Sequence, residues 1–384
     1  MVRPTRAHID LRVLADNYRA IVKFVTHRAP ISPPQVVGVV KANAYGHGLV
    51  AVAHALESAG VDLLACADIE EGIQLRQAGV RAPILVFGAL SVSDPNGVLE
   101  YDLTPTVSSP SAAHVLQAAA ADHRVRLHCH LKVDTGMNRF GFRYDNLATT
   151  IPAVLASPNL RFDAVYTHFA TAEAPAGGLF DIQRRRFGAA CDTLRSLGLR
   201  GARRHAANSA ALLRDRSCWL DAVRPGLLVY GVTPPREVAG MSELTVNPVM
   251  SLRSRVVAVK GLRTGDTSGY GARFTARRPS LIAIVPAGYA DGLDVRLAGT
   301  GHVLVRGCPA PIIGSVCMDS ITVDVTDLDV SPGDEVVVIG PQGHNRVGAA
   351  DVAEWVGTVP HEVLSRVGTR IERVYGPDAE ENSR

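Results

Sequence analysis

The sequence carries little excess charge of either sign: 40 Lys and Arg against 37 Asp and Glu give a formal +3 over 384 residues. With the two signs interspersed, no basic stripe marks a nucleic-acid partner. The one dense run, QRRRF at 183–187, has no stacking aromatics or wider basic patch around it and reads as the solvated face of a helix. Long apolar runs are also missing. No stretch of about 18 apolar residues occurs, so no membrane-spanning helix is predicted. The opening MVRPTRAHID lacks the apolar core of a secretory signal. Cysteine is sparse, at Cys66, Cys129, Cys191, Cys218, Cys308 and Cys317, and no pair has CxxC spacing. In a chain this long they read as reduced, mostly buried thiols, and together these absences predict a cytoplasmic protein. Neither GxGxxG nor GxxxxGK(S/T) is present, so no dinucleotide-binding or P-loop fold is indicated.

What is present is an ordinary globular composition, 47% apolar and 20% charged, in a length that suggests two domains. Short β-branched runs at 35–42, 61–67, 82–88, 103–107, 126–136, 162–170, 203–209 and 222–231 alternate with Ala-, Leu- and Arg-rich helical stretches. Strands that are almost continuously apolar and separated by helices form a parallel sheet buried on both faces. Eight such units predict an α/β fold, a (β/α)8 TIM-type barrel. The runs at 103–107 and 203–209 are the weakest, and an open doubly wound sheet is the alternative. Beyond residue 241 the rhythm changes to strands broken by Gly, Pro and Asp turns, with helical patterns only in VGAADVAEWVG and HEVLSRVG. The expected organisation is a barrel over 1–241 followed by a C-terminal all-β domain over 242–384, with no low-complexity linker between them.

Active sites of such barrels lie at the C-terminal ends of the strands, and these ends are chemically unusual here. VVGVVKANAYGHG, residues 36–48, runs an apolar strand into Lys41, with Tyr45 after it. The fifth strand carries Lys132 and Asp134, with Arg139 just beyond; the sixth ends at His168, the seventh at Asn208 and Ser209, and the eighth carries Arg224. A lone lysine is usually a solvated charge. At a barrel mouth, desolvation lowers its pKa and makes it a nucleophile or Schiff-base former. His128 and His130 share a strand face with Lys132 and Asp134, but a lysine in line and no further ligand at metal spacing argue against a metal. Phosphate groups in these barrels sit against the loops after strands seven and eight. Here those loops are NSAA and RPGLL, where Ser209 offers a hydroxyl and Gly226 lets backbone N–H groups approach an anion. A lysine at the first strand and a phosphate cradle at the last two suit a cofactor bearing an aldehyde and a phosphate, which describes pyridoxal 5′-phosphate (PLP).

VVKANAYGHG, LKVDTGMNRFG, YTHFA, NSAA, RPGLLVYG, GYG, PAGYADG and GSVCMDS occur in this order, and the chain resembles bacterial alanine racemases from about residue 7 to about residue 375. The resemblance implies a fold-type III PLP-dependent isomerase that interconverts L- and D-alanine with two bases, works as a homodimer with shared active sites, and supplies D-alanine for peptidoglycan. It makes Lys41 the lysine that holds the cofactor and serves as base on one face of the substrate. It makes Tyr270, in SGYGARF, the opposite base, delivered by the partner subunit. A phenol, with an ordinary pKa of about 10, is a poor base at neutral pH, and the family stations His168 and Arg224 behind it.

Arg224 matches the arginine that faces the pyridine nitrogen. An arginine stays protonated, so it donates to that nitrogen, weakens the ring as an electron sink and favours quick reprotonation over transamination. Arg139 resembles the substrate-carboxylate arginine. Lys132 matches a lysine carbamylated in many relatives, whose added negative charge would relieve its clash with Arg139. Met318 and Asp319 look like partner-supplied residues of the substrate site, Tyr289 like a residue narrowing the entrance, and Tyr45, Ser209 and Gly226 like phosphate contacts. Tyr375 is out of register with a C-terminal phosphate-binding tyrosine of some relatives. The competing readings are another PLP-dependent racemase or decarboxylase of this fold, and a non-catalytic PLP-binding protein. A decarboxylase calls for an acidic partner at the ring nitrogen, and a mere binding module would lack the C-terminal domain.

Overall fold

A computed structural model describes residues 3–88, 90, 94–174, 178–235 and 243–376. Residue 241, where the sequence reading sets the domain boundary, lies outside the described residues. The chain forms two compact units, one of Ala15–Ala44 with Leu49–Val246, the other of Met1–Leu14, Tyr45–Gly48 and Asn247–Arg384.

The first unit is a barrel of parallel strands: Gln35–Val36 continued by Gly38–Val39, then Leu64–Cys66, Ile84–Val86, Thr104–Val107, Leu127–Asp134, Leu160–Tyr166, Arg203–His205 and Ala222–Val223. Every strand expected from the sequence is there, including the two weakest. Closure turns on Val37. Before it, Gln35 and Val36 pair with Ala222 and Val223; after it, Gly38 and Val39 pair with Leu64 and Ala65. The Val37 N–H donates to the Val223 carbonyl and the Gly38 N–H to the Leu63 carbonyl, each at 2.9 Å. One strand therefore joins both ends of the sheet and leaves no edge, which rules out the open doubly wound alternative. Leu64–Cys66 and Ile84–Val86 are buried at every residue, as strands covered on both faces must be. The intervening helices start on side-chain caps: Asp68 accepts from the Glu71 N–H and Ser109 from the Ala112 N–H. The QRRRF run lies on helix Leu179–Ser196, with Arg185 exposed as expected but Gln183 and Phe187 turned inward.

The second unit is built on a largely antiparallel sheet, in the order Ala258–Leu262, Ser280–Val285, Ile321–Asp324, Cys308–Ile313, His302–Val305, Glu335–Gln342, Met250–Arg255, Arg6–Ile9, Glu372–Tyr375. Burial alternates along Arg6–Ile9 and Ile321–Asp324, the period-two mark of a sheet covered on one face. Arg6–Ile9, which has no strand signature in the sequence reading, pairs antiparallel with Met250–Arg255 and parallel with Glu372–Tyr375. The helices Ala349–Val356 and Pro360–Ser365 follow where their patterns predict. Cys66, Cys129, Cys191 and Cys218 are buried free thiols, Cys317 is half-buried and Cys308 is exposed. Among the described residues no helix is long and apolar enough to cross a membrane.

Candidate active site

Lys41 stands where the first barrel strand ends, one residue after the Val40 N–H donates to the Ala65 carbonyl at 2.8 Å. The backbone then does something no glycine announces. Ala42, Asn43, Ala44 and Tyr45 have φ of 54°, 53°, 53° and 52°, a left-handed turn built from four side-chain-bearing residues. Such residues cost about 1–2 kcal/mol each and persist only where their surroundings hold them. Asn43 is held on both sides: its N–H donates to Glu71 Oε1 at 3.0 Å, and its Oδ1 accepts from the Leu49 N–H at 2.8 Å. The Ala44 N–H returns to the Val40 carbonyl at 2.7 Å. Glu71 is itself fixed, since its Oε2 accepts from the Ala67 N–H at 2.8 Å. Strain stored beside a half-buried lysine marks a functional position.

The groups around this lysine are mostly cationic. Burial, then Arg139 and Arg224, push the Lys41 amine below its usual range, and Glu71 opposes them. Lys132 is buried, its Nζ lies 4.3 Å from the Tyr166 ring centroid, and it forms no ion pair among the described residues. Burial, then Arg224 and Arg139, hold its amine well below the ordinary value. His168 is half-buried, and burial followed by Lys132 and Arg224 holds it well below the usual imidazole range. Gln183 fixes the backbone beneath it, with Nε2 donating to the His168 carbonyl at 3.0 Å and to Thr135 Oγ1 at 3.1 Å. Asp134 has a different task from its neighbours. Its Oδ1 accepts from the N–H groups of Gly136, Met137 and Asn138 at 2.9, 3.0 and 3.1 Å, which shapes the turn presenting the exposed Arg139.

Arg224 is buried and thoroughly anchored. Nη2 donates to the carbonyls of Thr167 (2.8 Å) and Ala206 (3.0 Å), Nη1 donates to His205 Nδ1 (2.8 Å), and His168 Nδ1 lies 3.5 Å from Nη2. Burial lowers its pKa to about 10, so it remains a cation at neutral pH. Its Nε–H has no partner among the described residues, a donor left over for an acceptor that is not part of the chain. Nearby, Ser209 Oγ accepts from the N–H groups of Gly226 (3.0 Å) and Leu228 (3.3 Å), while Asn208 caps the helix Ser209–Arg214 through the Ala211 N–H at 3.0 Å. His128 pairs with Asp163 at 2.5 Å and His130 with His205 at 3.1 Å, so the two alternating histidines have separate partners. Tyr166, absent from the sequence-derived candidates, is central: its Oη is 2.9 Å from Thr106 Oγ1 and its ring stacks on His205 at 4.7 Å and 6°. Its signal was its place two residues before His168, on the same strand face.

The chemistry these groups permit is specific. An amine whose pKa is lowered by burial yields its proton more readily and can add to an aldehyde. The surplus of cations favours an anionic ligand, and the Ser209 loop and the free Nε–H of Arg224 can meet a phosphate and a ring nitrogen. The residues present therefore fit PLP.

In the other unit a second set of candidates gathers at one surface. Tyr270 is 76% exposed, Met318 53% and Tyr289 44%. Ser315 Oγ donates to the Tyr270 carbonyl at 2.7 Å, and the Tyr289 N–H donates to the Cys317 carbonyl at 2.9 Å, which brings the GYG, GYADG and CMDS motifs together. Gly288 is required there: a Cβ on it would stand 2.4 Å from the Cys317 and Met318 carbonyl oxygens. Asp319 is held by Arg370 at 2.7 Å. Tyr45 is buried, its ring 5.8 Å from that of His361. A Cβ on Gly48 would stand 1.9 Å from Tyr375 Oη, so this tyrosine, unassigned in the sequence, packs against the segment after Lys41.

Comparison with known proteins agrees with this arrangement. The alanine racemase N-terminal domain model matches residues 9–234 and the C-terminal domain model residues 249–375. The chain is 40% identical to an alanine racemase of Sorangium cellulosum, covering 97% of this chain and 99% of that one. Among solved structures it resembles the alanine racemase of D-cycloserine-producing Streptomyces lavendulae, at 33% identity and TM-score 0.91 with 100% of both chains covered. It also resembles the alanine racemase of Bartonella henselae with covalently bound pyridoxal phosphate, at 29% identity and TM-score 0.85, covering 97% of this chain and 99% of that one. A βα barrel with a lysine at its first strand, joined to a β domain carrying the GYG and CMDS motifs, thus belongs to the alanine racemase family.

Proposed function

We propose that the chain interconverts L- and D-alanine with PLP as its cofactor. When bound, PLP supplies the electron sink that makes the α-proton of alanine removable. The observation that carries the reading is the pairing of a lysine amine pushed down by burial with an anchored arginine whose Nε–H has no partner among the described residues. Lys41 would hold the cofactor through its amine, and the same amine would move the α-proton on one face of the substrate. Arg224 would serve the ring nitrogen with its unpartnered Nε–H. As a cation it cannot accept a proton there, which favours racemisation over a decarboxylase or transaminase outcome. Ser209, Gly226 and Tyr45 serve the phosphate. Arg139 takes the substrate carboxylate, and Lys132, as its carbamate, orients Arg139.

Tyr270 is the base for the opposite face. Its exposure, with that of Met318 and Tyr289, supports a homodimer in which each subunit lends Tyr270, Met318 and Asp319 to the other's barrel, with Tyr289 narrowing the approach and His168 and Arg224 backing the phenol. An exposed cluster of large side chains is what an unmet interface presents. The physiological role that follows is cytoplasmic supply of D-alanine for peptidoglycan. The test is to give purified protein L-alanine and follow the D-enantiomer by chiral chromatography, with and without added PLP, then treat with borohydride and map the pyridoxyl group. Turnover dependent on PLP with the label on Lys41 is expected. No D-alanine, or a label on another lysine, would overturn the proposal.

A further inference from the structure

Arg224 is one end of a line of three side chains drawn from the fifth, seventh and eighth barrel strands. Its Nη1 meets His205 Nδ1 at 2.8 Å, and His205 Nε2 meets His130 Nδ1 at 3.1 Å. His205 ends the strand Arg203–His205, and His130 lies within Leu127–Asp134. Both histidines are buried, 2% and 4% exposed. Tyr166 covers the His205 ring in a parallel stack at 4.7 Å and sets an edge against His130 at 6.5 Å. His130 also lines a cleft of about 400 Å³ reached from the strands' N-terminal ends, among Asp62, Arg81, Asp102, Arg126 and Arg203.

The chemistry of the line follows from its first member. A guanidinium has donors and no acceptor. His205 must therefore present a bare Nδ1 to Arg224 and carry its proton on Nε2. That proton points at His130 Nδ1, so His130 must also be bare at Nδ1 and carry its proton on Nε2. One arginine fixes two tautomers, and all the hydrogen bonds run in one direction. Protonating either ring would put a donor against a donor, next to the charge of Arg224. Apart from Asp163, the groups that bear on the line agree in sign. Burial, then Arg224, act against charge on His205, and burial, then Arg203, act against it on His130, opposed by Asp163.

We propose that His205 and His130 are positioning residues for Arg224: neutral, each with its proton on Nε2, they hold the guanidinium so that its unpaired Nε–H stays aimed at the cofactor's ring nitrogen. Carbonyls at Thr167 and Ala206 grip only Nη2, and His205 supplies the one bond to Nη1. Without it the guanidinium plane can swing about the Nη2 contacts, and Nε swings with it. His130 acts one step back, by giving the His205 proton a partner and so keeping Nδ1 bare. The part of this that concerns the ring nitrogen rests on the PLP reading above; the tautomers do not.

The test has two arms that fail separately. In the full chain labelled with 15N-histidine, without added cofactor, His130 and His205 are assigned by comparison with His130→Asn and His205→Asn. Both are expected as Nε2–H tautomers that stay neutral from about pH 8 to about pH 5.5, below the ordinary histidine value of about 6.5. A proton on Nδ1 of either ring, or titration near the ordinary value, would overturn the proposal whatever the cofactor chemistry.

In the second arm the PLP-loaded protein is compared with His205→Leu and His205→Asn. Asparagine keeps an acceptor where Nδ1 was, and leucine does not. Leucine is expected to shift the bound cofactor's absorption band and make it pH-dependent, and to lower kcat on the order of 10-fold with KM for alanine little changed. Asparagine is expected to restore most of both. A leucine variant with unchanged spectrum and kcat would overturn the positioning role. If borohydride fails to trap PLP on Lys41 while the tautomers are as stated, it is the cofactor reading that has failed.

Discussion

Lys132 Nζ lies 4.3 Å from the centre of the Tyr166 ring and forms no ion pair among the described residues. A buried lysine with two cationic neighbours, opposed only by the more weakly acting Asp134 carboxylate, is an amine biased toward its reactive neutral form. Burial and the two arginines keep it well below its usual pKa, which favours the free amine that can attack carbon dioxide. The product of that attack would be a carbamate and one released proton, which would replace an amine beside Arg139 and Arg224 with an anion of opposite sign to both. Folded protein in 13C-bicarbonate is expected to show a carbamate 13C signal that is absent from Lys132→Ala. Lys132→Ala is expected to lose on the order of 10-fold or more in kcat/KM, with partial rescue by acetate. An unmodified Lys132 in fully active enzyme would refute the assignment.

Tyr270 offers the sharpest functional test, because two bases on opposite faces make a racemase asymmetric when one is removed. Tyr270→Phe is expected to slow α-proton removal from L-alanine by on the order of 10²-fold or more, while exchange of the D-alanine α-proton with solvent deuterium persists through Lys41. The measurement is deuterium wash-in for each enantiomer. Equal loss in both directions would remove Tyr270 from its role. The same variant should keep its PLP, since Tyr270 and Lys41 belong to different units of the chain.

How much of this was readable beforehand differs by element. Most of the barrel strands are nearly continuous in hydrophobicity, so their existence and order followed from the sequence, with 103–107 and 203–209 the weakest, and Lys41, Arg139, His168 and Arg224 stood out as candidates by being polar at or just beyond strand ends. Arg6–Ile9 was not readable, because a strand of alternating Arg, Ala, His and Ile acquires its identity only from the partners Met250–Arg255 and Glu372–Tyr375, more than two hundred residues away. The left-handed turn at 42–45 was equally hidden, since its support comes from Glu71 and Leu49 rather than from glycine. The line from Arg224 through His205 to His130 needs strands five, seven and eight to meet inside a closed barrel, which no single segment encodes.

Asp291 ties several distant pieces of its unit together. Its buried carboxylate accepts from Arg3 at 2.6 Å, from Arg370 at 2.7 Å and from the Gly288 N–H at 2.8 Å, and Arg370 goes on to hold Asp319. Hydrogen bonds from Arg370, Gly288 and Arg3 hold its pKa below the usual carboxylate range against the effect of burial. Stability from such a group is complete above the unfolded value of about 3.9 and is lost as pH falls through the folded value. Asp291→Ala is expected to cost about 2–3 kcal/mol in urea unfolding, less than a fully buried pair because both arginines reach solvent. It should also raise KM for alanine by loosening Asp319. A variant with unchanged stability and KM would show that the junction is ornamental.

The neutral histidines make a prediction in a different pH window, and its sign can be worked out in advance. Burial and positive neighbours push His130 down to about 4 and hold His168 and His205 well below the usual range. Above about pH 6.5 these rings are neutral whether the chain is folded or not, and they contribute no slope. Below it the unfolded chain takes up protons that the folded chain refuses, so stability falls with falling pH until the folded pKa is reached. For His130 the loss across the window to about pH 4 is roughly 3 kcal/mol at most. The depressed lysines add a slope of the same sign that extends to higher pH, so the comparison must be with a variant. His130→Asn keeps an acceptor for His205 and removes one titrating ring. Urea unfolding between about pH 7 and about pH 5 should then show a slope reduced by close to one proton, about 1.4 kcal/mol per pH unit at the acid end. A variant whose stability tracks the wild type in parallel across the window would mean that His130 is protonated as readily in the fold as outside it, and the hydrogen-bonded line to Arg224 would have to be abandoned.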